Sequence, residues 1–127
     1  AEKIYNFIFN NPNLPEDLVP YWDFDAPNIP NEPRDVSAAA CTASALYELS
    51  TYIPGKNYKE TADKIMENLG SPAYRAEVGT NGNFILMHSV GSIPHGAEID
   101  VPLNYADYYF LEGIMRKRDL ESNKKLF

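Results

Sequence analysis

The sequence is poor in cysteine and in positive charge. It has a single cysteine, Cys41, so no disulfide can form within the chain, and the compartment is left open. Lysine and arginine number 11 against 18 aspartates and glutamates, a formal net charge of −7. Because nucleic-acid binding depends on cations that neutralise phosphates, this balance argues against DNA or RNA as a partner. Cys41 lies in an alanine-rich helical pattern and is expected to be a small buried side chain.

Long hydrophobic runs and targeting signals are also lacking. No stretch approaches the roughly 20 apolar residues that span a bilayer, so no membrane contact is predicted. No secretory signal is visible. The chain starts without methionine, inside a helical pattern that nothing before it could cap, which indicates a piece of a longer polypeptide. The composition, 44% hydrophobic and 23% charged, is that of a folded protein, and residues 1–127 are expected to belong to one domain.

Four stretches have the spacing of apolar residues that is typical of helices. They cover residues 1–10, 36–52, about 57–69 and about 101–118. Asp35 is placed to cap the second helix, and Asp100 the fourth. Asn57 and Glu60 resemble a capping box for the third helix. The short joint at residues 54–56 predicts that the second and third helices pack antiparallel, and the whole pattern predicts an all-α fold.

Two long connectors, residues 11–34 and 71–100, interrupt the helices. Binding residues tend to lie on such loops, and each connector leads into a helix N terminus, so both are expected on the same side. The first connector holds the only tryptophan, Trp22, which could stack on a sugar ring or simply anchor the loop. Asp23 and Asp25 flank it, but alternate spacing in an extended loop would point them to opposite sides.

The second connector is rich in hydroxyl and imidazole groups. Ser89 and Ser92 could bind sugar oxygens or could close turns with neighbouring backbone amides. His88 lies beside them, and His95 is expected in solvent. Two separate histidines do not make a metal site, so no metal ion and no cofactor is predicted. Arg34, at the end of the first connector, could pair with an anionic sugar or form a salt bridge with Asp35 or Asp23.

Several of these segments resemble a known family. The sequence PYWDFD at residues 20–25, followed by PRDVSAAA at 33–40, is similar to a late-chain signature of the unsaturated glucuronyl hydrolases of glycoside hydrolase family 88. HSVGS at 88–92, EIDVPL at 98–103 and YADYYFLE at 105–112 resemble their last loop and last helix. The motifs follow the family's order and cover nearly all of the chain. The resemblance implies the C-terminal part of a six-hairpin α/α barrel, about four helices with long connecting loops.

The resemblance also implies an activity for the parent protein. Such enzymes remove a 4,5-unsaturated uronic acid from oligosaccharides left by polysaccharide lyases, and that oligosaccharide is the implied partner. An aspartic acid protonates the C4=C5 vinyl ether and water adds at C5. The family's catalytic aspartates lie in the earlier portion of the enzyme, so no catalytic residue is assigned here. The implied substrate-binding residues are Ser89 and Ser92, which match a Ser-x-x-Ser element, together with His88 and Trp22.

Other functions remain open at this level. Pro94 stands where some relatives carry a lysine that favours sulfated substrates, which argues against that preference. The chain could also be a non-catalytic carbohydrate-binding module or a purely structural helical domain. The unsaturated rhamnogalacturonyl hydrolases share the barrel but match these motifs less well. Because the implied catalytic aspartates lie elsewhere, the isolated chain is expected to be inactive. Because a cut barrel would expose apolar surface, the isolated chain is also expected to self-associate.

Overall fold

A computed structural model describes residues 1–124. Its helices and strands, in chain order, are α1 (Glu2–Phe9), α2 (Val36–Tyr52), α3 (Tyr58–Leu69), β1 (Ser89–Ser92), β2 (Ala97–Val101) and α4 (Asn104–Glu121). The four predicted helices are therefore confirmed, within three residues at each end. The helical fold class is confirmed as well. The polar and charged sequence of residues 119–127 is typical of a frayed chain end, but α4 continues to Glu121, and residues 125–127 lie outside the described part.

Helix α2 is the centre of the packing, because α3 and α4 both lie against it. Apolar periodicity predicts an inward face on α2 and on α3, and most of these residues are buried, while Leu49 and Ile53 at the end of the α2 face are only partly buried. The fully or nearly fully buried members of the two faces are Val36, Ala39, Ala40, Ala43, Leu46, Tyr58, Ala62, Ile65, Met66 and Leu69. The alanines of α2 have almost no side chain to separate the backbones, so the neighbouring elements can approach closely.

Helix caps give mixed results. Asp35 caps α2 as predicted, since its side chain accepts a hydrogen bond from the Ser37 backbone nitrogen at 3.0 Å. The Asn57 side chain makes no cap hydrogen bond, so the predicted capping box is wrong. Asp100 is not a cap either, because α4 begins only at Asn104 and Leu103 occupies the cap position.

The segment predicted as a second loop contains a β-hairpin, which is a correction to that prediction. Strands β1 and β2 pair antiparallel, with Val90 opposite Ile99 and a bulge between Ser89 and Val90. The strands are too short and too polar to show an alternating pattern. Gly91 is required here, because a Cβ built on it would lie 2.7 Å from the Cβ of Glu98 on the opposite strand.

Cys41 is exposed, so the prediction that it is buried is wrong. The contact surface of α2 is formed by residues such as Ala39, Ala40 and Ala43, and position 41 lies outside it. Cys41 instead lines an open apolar groove between α1 and α2. Within residues 1–124, no helix is long and apolar enough to cross a membrane.

Asp107, in the first turn of α4, anchors the second connector through hydrogen bonds to its backbone. Its carboxylate accepts hydrogen bonds from the backbone nitrogens of Ile85 at 2.8 Å and Leu86 at 2.9 Å. Asn81 donates from its side chain to the Leu86 carbonyl at 3.0 Å, and the Leu86 side chain is fully buried. This irregular segment therefore obtains from a side chain the acceptors that a sheet partner would otherwise supply.

The substitution Asp107→Asn should lower the free energy of unfolding by about 2 kcal/mol, because one of the two backbone donors loses its acceptor and faces an amide N–H instead. Denaturant titration followed by circular dichroism measures this change. Asp25→Asn is the matched control, since Asp25 is exposed and its side chain supports no connector, and it should leave the midpoint in place. Equal midpoints for the two variants would contradict the anchoring role of Asp107.

Candidate sugar-binding site

The two connectors meet at the N terminus of α2, on the same side as expected. The Asp35 nitrogen donates to the Pro20 carbonyl at 2.8 Å, which closes the first connector. The Val36 nitrogen donates to the His88 carbonyl at 3.2 Å, and the Val90 nitrogen approaches Asp35 Oδ1 at 3.4 Å. The Trp22 loop and the β-hairpin are thus joined through one helix terminus, and we call this region the α2 junction, defined by residues 20–36, 88–92 and 100.

Trp22 is held by its own loop. Its backbone nitrogen donates to the Pro33 carbonyl at 3.0 Å, and its indole Nε1 donates to Glu32 Oε2 at 2.8 Å. The second oxygen of Glu32 accepts from the backbone and the side-chain nitrogen of Asn28, at 2.9 and 3.1 Å. Since the polar edge of the half-buried indole is already used, only its ring face remains for a ligand.

The Trp22 ring lines a cavity of about 180 Å³. Phe9, Leu18, Phe24 and Ala38 supply apolar walls, and Asp35 lies at the same cavity. The hydrogen bond from the indole holds the pKa of the Glu32 carboxyl below its ordinary value. A small cavity with several aromatic side chains and few polar groups suits the apolar face of a ring better than a charged group.

The hydroxyl and imidazole groups of the second connector are paired with one another or with acids. Ser92 Oγ lies 2.6 Å from His95 Nδ1, and His95 is exposed as expected. His88 Nδ1 lies 2.6 Å from Asp100 Oδ1, with 42% of the His88 side chain exposed. Ser89 is different, because it is fully buried and its hydroxyl has no partner within residues 1–124. Of the two serines, only Ser92 is open to a ligand in this conformation.

Arg34 is not available for a sugar acid. It pairs with Asp17, rather than with Asp35 or Asp23, and its Nε donates to the Val19 carbonyl at 2.9 Å. The guanidinium also lies 5.0 Å from the centre of the Tyr21 ring. The contacts of Arg34 therefore stabilise the start of the Trp22 loop.

Asp17 is a further residue that sequence reasoning missed. Besides Arg34, it accepts from the Tyr74 hydroxyl at 2.5 Å. Burial, and then this hydrogen bond, raise the pKa of Tyr74. Asp17 and Tyr74 are 57 positions apart, so no local pattern could have paired them. Glu32 was missed as well. It is only 10 positions from Trp22, but no local sequence pattern indicates that the two side chains are paired.

No carboxylate pair suited to acid–base work is found among the described residues. Asp23 and Asp25 are exposed, and Asp23 accepts from the Asp25 nitrogen at 2.8 Å within one turn. Asp35 is committed to the cap. No group of three or more potential metal ligands is present within residues 1–124. The described region presents an aromatic face, a hydroxyl and an imidazole near one helix terminus.

The last helix also reaches the α2 junction. Burial raises the pKa of Tyr105, and the charges of Asp35 and Glu98 add to this effect, while a hydrogen bond with Ser37 opposes it. Tyr105 belongs to the first turn of α4, so residues from α2, the hairpin and α4 surround one place. The four helices with their long connectors form part of an α/α barrel, the fold of the solved neighbours.

Comparisons with known proteins name the family. No protein-family model matches the chain. It is 49% identical over 120 residues to an unsaturated glucuronyl hydrolase of Formosa agariphila, which covers 94% of this chain and 30% of that protein. It is 31% identical over 116 residues to an unsaturated chondroitin disaccharide hydrolase of Streptococcus agalactiae, covering 87% of this chain and 28% of that protein.

A solved structure gives the same answer. The crystal structure of an unsaturated glucuronyl hydrolase specific for heparin superposes with a TM-score of 0.92 at 49% identity, covering 96% of this chain and 33% of that chain. The chain belongs to the unsaturated glucuronyl hydrolase family and corresponds to its C-terminal portion, so the resemblance read from the motifs is confirmed. It spans less than a third of the length of the curated relatives it matches.

The fluorescence of Trp22 should report the protonation of Glu32, because Trp22 is the only tryptophan. Because the pKa of Glu32 is lowered, its carboxylate stays ionised and bonded to the indole throughout the ordinary glutamate range, and the bond is lost only as the pH falls through the lowered value. Emission should therefore change at a midpoint below that of an ordinary glutamate. Glu32→Gln should remove the step, whereas Glu16→Gln, at an exposed position, should keep it. A step that survives in Glu32→Gln would contradict the assignment.

Proposed function

We propose that this chain is part of a glycoside hydrolase that removes 4,5-unsaturated uronic acid from lyase-generated oligosaccharides by hydration of the vinyl ether. The observation that carries the proposal is the 49% identity to an unsaturated glucuronyl hydrolase along 94% of the chain. One solved relative is described as complexed with the unsaturated disaccharide dGlcA-GalNAc6S. An unsaturated uronate-terminated oligosaccharide is accordingly the proposed partner of the whole enzyme.

In this reaction the chain contributes to substrate binding and does not supply the general acid. A general acid must donate a proton to the substrate, but the carboxylates of the α2 junction accept hydrogen bonds from their own loops. Asp35 accepts from Ser37 and Asp100 lies against His88. The proton therefore comes from an acid outside this chain, and the chain alone is proposed to be inactive.

The proposed binding residues are Trp22, His88, Ser89 and Ser92. The ring face of Trp22 can cover the apolar face of a pyranose, and Ser92 and His88 offer polar groups at the surface. Ser89 stays in the set because its hydroxyl has no partner, and a buried hydroxyl without one is costly. A ligand reaches Ser89 only if the start of β1 moves, since the residue is fully buried.

A chimera tests the proposal. Replacing the matching segment of the Formosa agariphila enzyme by this chain should give a hydrolase that consumes the ultraviolet absorbance of the unsaturated uronate. The chain alone should leave the absorbance unchanged, because it lacks the acid. A folded but inactive chimera would contradict the proposed function. Turnover by the chain alone would contradict the assignment of the acid to another part of the enzyme.

Variants of the chimera separate a binding role from a structural one. Ser92→Ala should raise KM about fivefold, the worth of one hydrogen bond to a sugar hydroxyl. Ser50→Ala is the control, because Ser50 only donates to the Tyr47 carbonyl within α2. An unchanged KM in Ser92→Ala would favour a purely structural role. Calorimetry on the chain alone addresses the remaining alternative, since a self-contained carbohydrate-binding module should bind the disaccharide by itself.

We also propose that the isolated chain self-associates through α1. Ile4 and Phe7 are each 65% exposed, and Ile4 borders the groove of about 440 Å³ between α1 and α2. Sedimentation velocity should show dimers or larger species, and Ile4→Ser should shift them toward monomer. Val78→Ser removes an apolar side chain that is even more exposed, but from a loop, and should have no effect. A monomer at all concentrations would contradict this proposal.

A further inference from the structure

His88 and Asp100 have unusual backbone conformations. Their φ angles are 66° and 54°, in the left-handed region that residues other than glycine seldom adopt. His88 directly precedes β1, and Asp100 lies in β2, so the two residues face each other at the base of the hairpin. His88 Nδ1 lies 2.6 Å from Asp100 Oδ1. Two strained residues thus support one short side-chain contact.

Stability does not explain this contact. The side chains are 42% and 57% exposed, and ion pairs or hydrogen bonds in that much solvent contribute little to folding. Asp100 has no helix to cap, since α4 starts four residues later. Backbone strain that brings no gain in stability is found most often at functional sites. The contact is therefore best explained by what it does to the imidazole.

The ring of His88 is fixed from several directions. Its backbone carbonyl accepts from the Val36 nitrogen at 3.2 Å, which attaches it to the first residue of α2. The Tyr74 ring meets the imidazole edge to face, with ring centres 6.4 Å apart. Together with Asp100 on Nδ1, these contacts hold the ring in one place and leave Nε2 as the nitrogen that can reach a ligand.

The chemistry of the partner decides which nitrogen carries the proton. An ionised carboxylate can only accept, so a hydrogen bond to it requires a proton on Nδ1. In the neutral ring Nε2 then has a lone pair and acts as an acceptor. His95 has no such constraint, because the Ser92 hydroxyl at its Nδ1 can either donate or accept. The two histidines of the chain thus differ in whether their tautomer is imposed.

We propose that Asp100 is a positioning residue that keeps His88 in the Nδ1–H tautomer, so that His88 Nε2 accepts a hydrogen bond from a sugar hydroxyl of the substrate. This inference rests on the proposed function and adds to it the residue that orients His88 and the kind of group that His88 meets. It assigns Asp100 no contact with the sugar.

Nitrogen-15 NMR of the labelled chain tests the tautomer without any activity. At a pH where the ring is neutral, His88 should show a protonated Nδ1 and an unprotonated Nε2. Asp100→Gly removes the carboxylate and suits the positive φ, and it should shift His88 toward the Nε2–H form that free histidine favours. Asp100→Asn offers both an acceptor and an N–H donor, so it should no longer impose the Nδ1–H form. Ser92→Ala should change only the His95 signals. A His88 that carries its proton on Nε2 in the unmodified chain overturns the proposal.

Kinetics of the chimera test the acceptor. His88→Ala and Asp100→Gly should each raise KM about fivefold with a smaller change in kcat, the effect of losing one neutral hydrogen bond. The double variant should be no worse than His88→Ala alone, because Asp100 acts through His88. Asp100→Asn should raise KM as Asp100→Gly does, because an amide does not impose the tautomer. If the unmodified chimera is active, additive effects of the two substitutions on KM, or an unchanged KM in His88→Ala, overturn the inference. An inactive unmodified chimera instead refutes the proposed function, and the NMR result still decides the tautomer.

Discussion

One carboxylate oxygen connects the parts of this chain that are not helical. Asp35 Oδ1 accepts from the Ser37 nitrogen at 3.0 Å and the Ser37 hydroxyl at 2.6 Å, and the Val90 nitrogen lies at 3.4 Å. A negative charge is favourable there, because the N terminus of α2 carries the positive end of the helix dipole. The end of the Trp22 loop and the beginning of the hairpin therefore depend on the same atom.

The acidic composition has a structural use that follows the same logic. The connectors have few regular partners for their backbone nitrogens, and each buried donor needs an acceptor. Asp107 supplies two acceptors to residues 85 and 86, Asp17 accepts from the Val19 nitrogen at 3.1 Å, and Glu32 accepts from Asn28. Several carboxylates of the chain are thus committed to holding loops, and the net charge of −7 is no sign of a cation site.

Local patterns predicted what depends on local spacing. The bounds of α2 and the Asp35 cap followed from apolar periodicity and from one side chain next to the helix start. The partners of Arg34 and His88 lie 17 and 12 positions away, and nothing in the sequence near either residue indicates them. Asp100 was misread for this reason, since an aspartate shortly before a helix looks like a cap until its distant partner is known.

The pairing of side chains also limits which groups of the proposed sugar site are available to a ligand. The indole N–H of Trp22 is hydrogen-bonded to Glu32, and the guanidinium of Arg34 is ion-paired with Asp17. What remains is an aromatic face, the Ser92 hydroxyl and one nitrogen of His88, none of which carries a permanent charge. Such groups recognise the ring and the hydroxyls of a sugar. If the proposed substrate is an unsaturated uronate, its negative charge must be met by groups outside this chain, and those groups must also supply the proton for the proposed hydration.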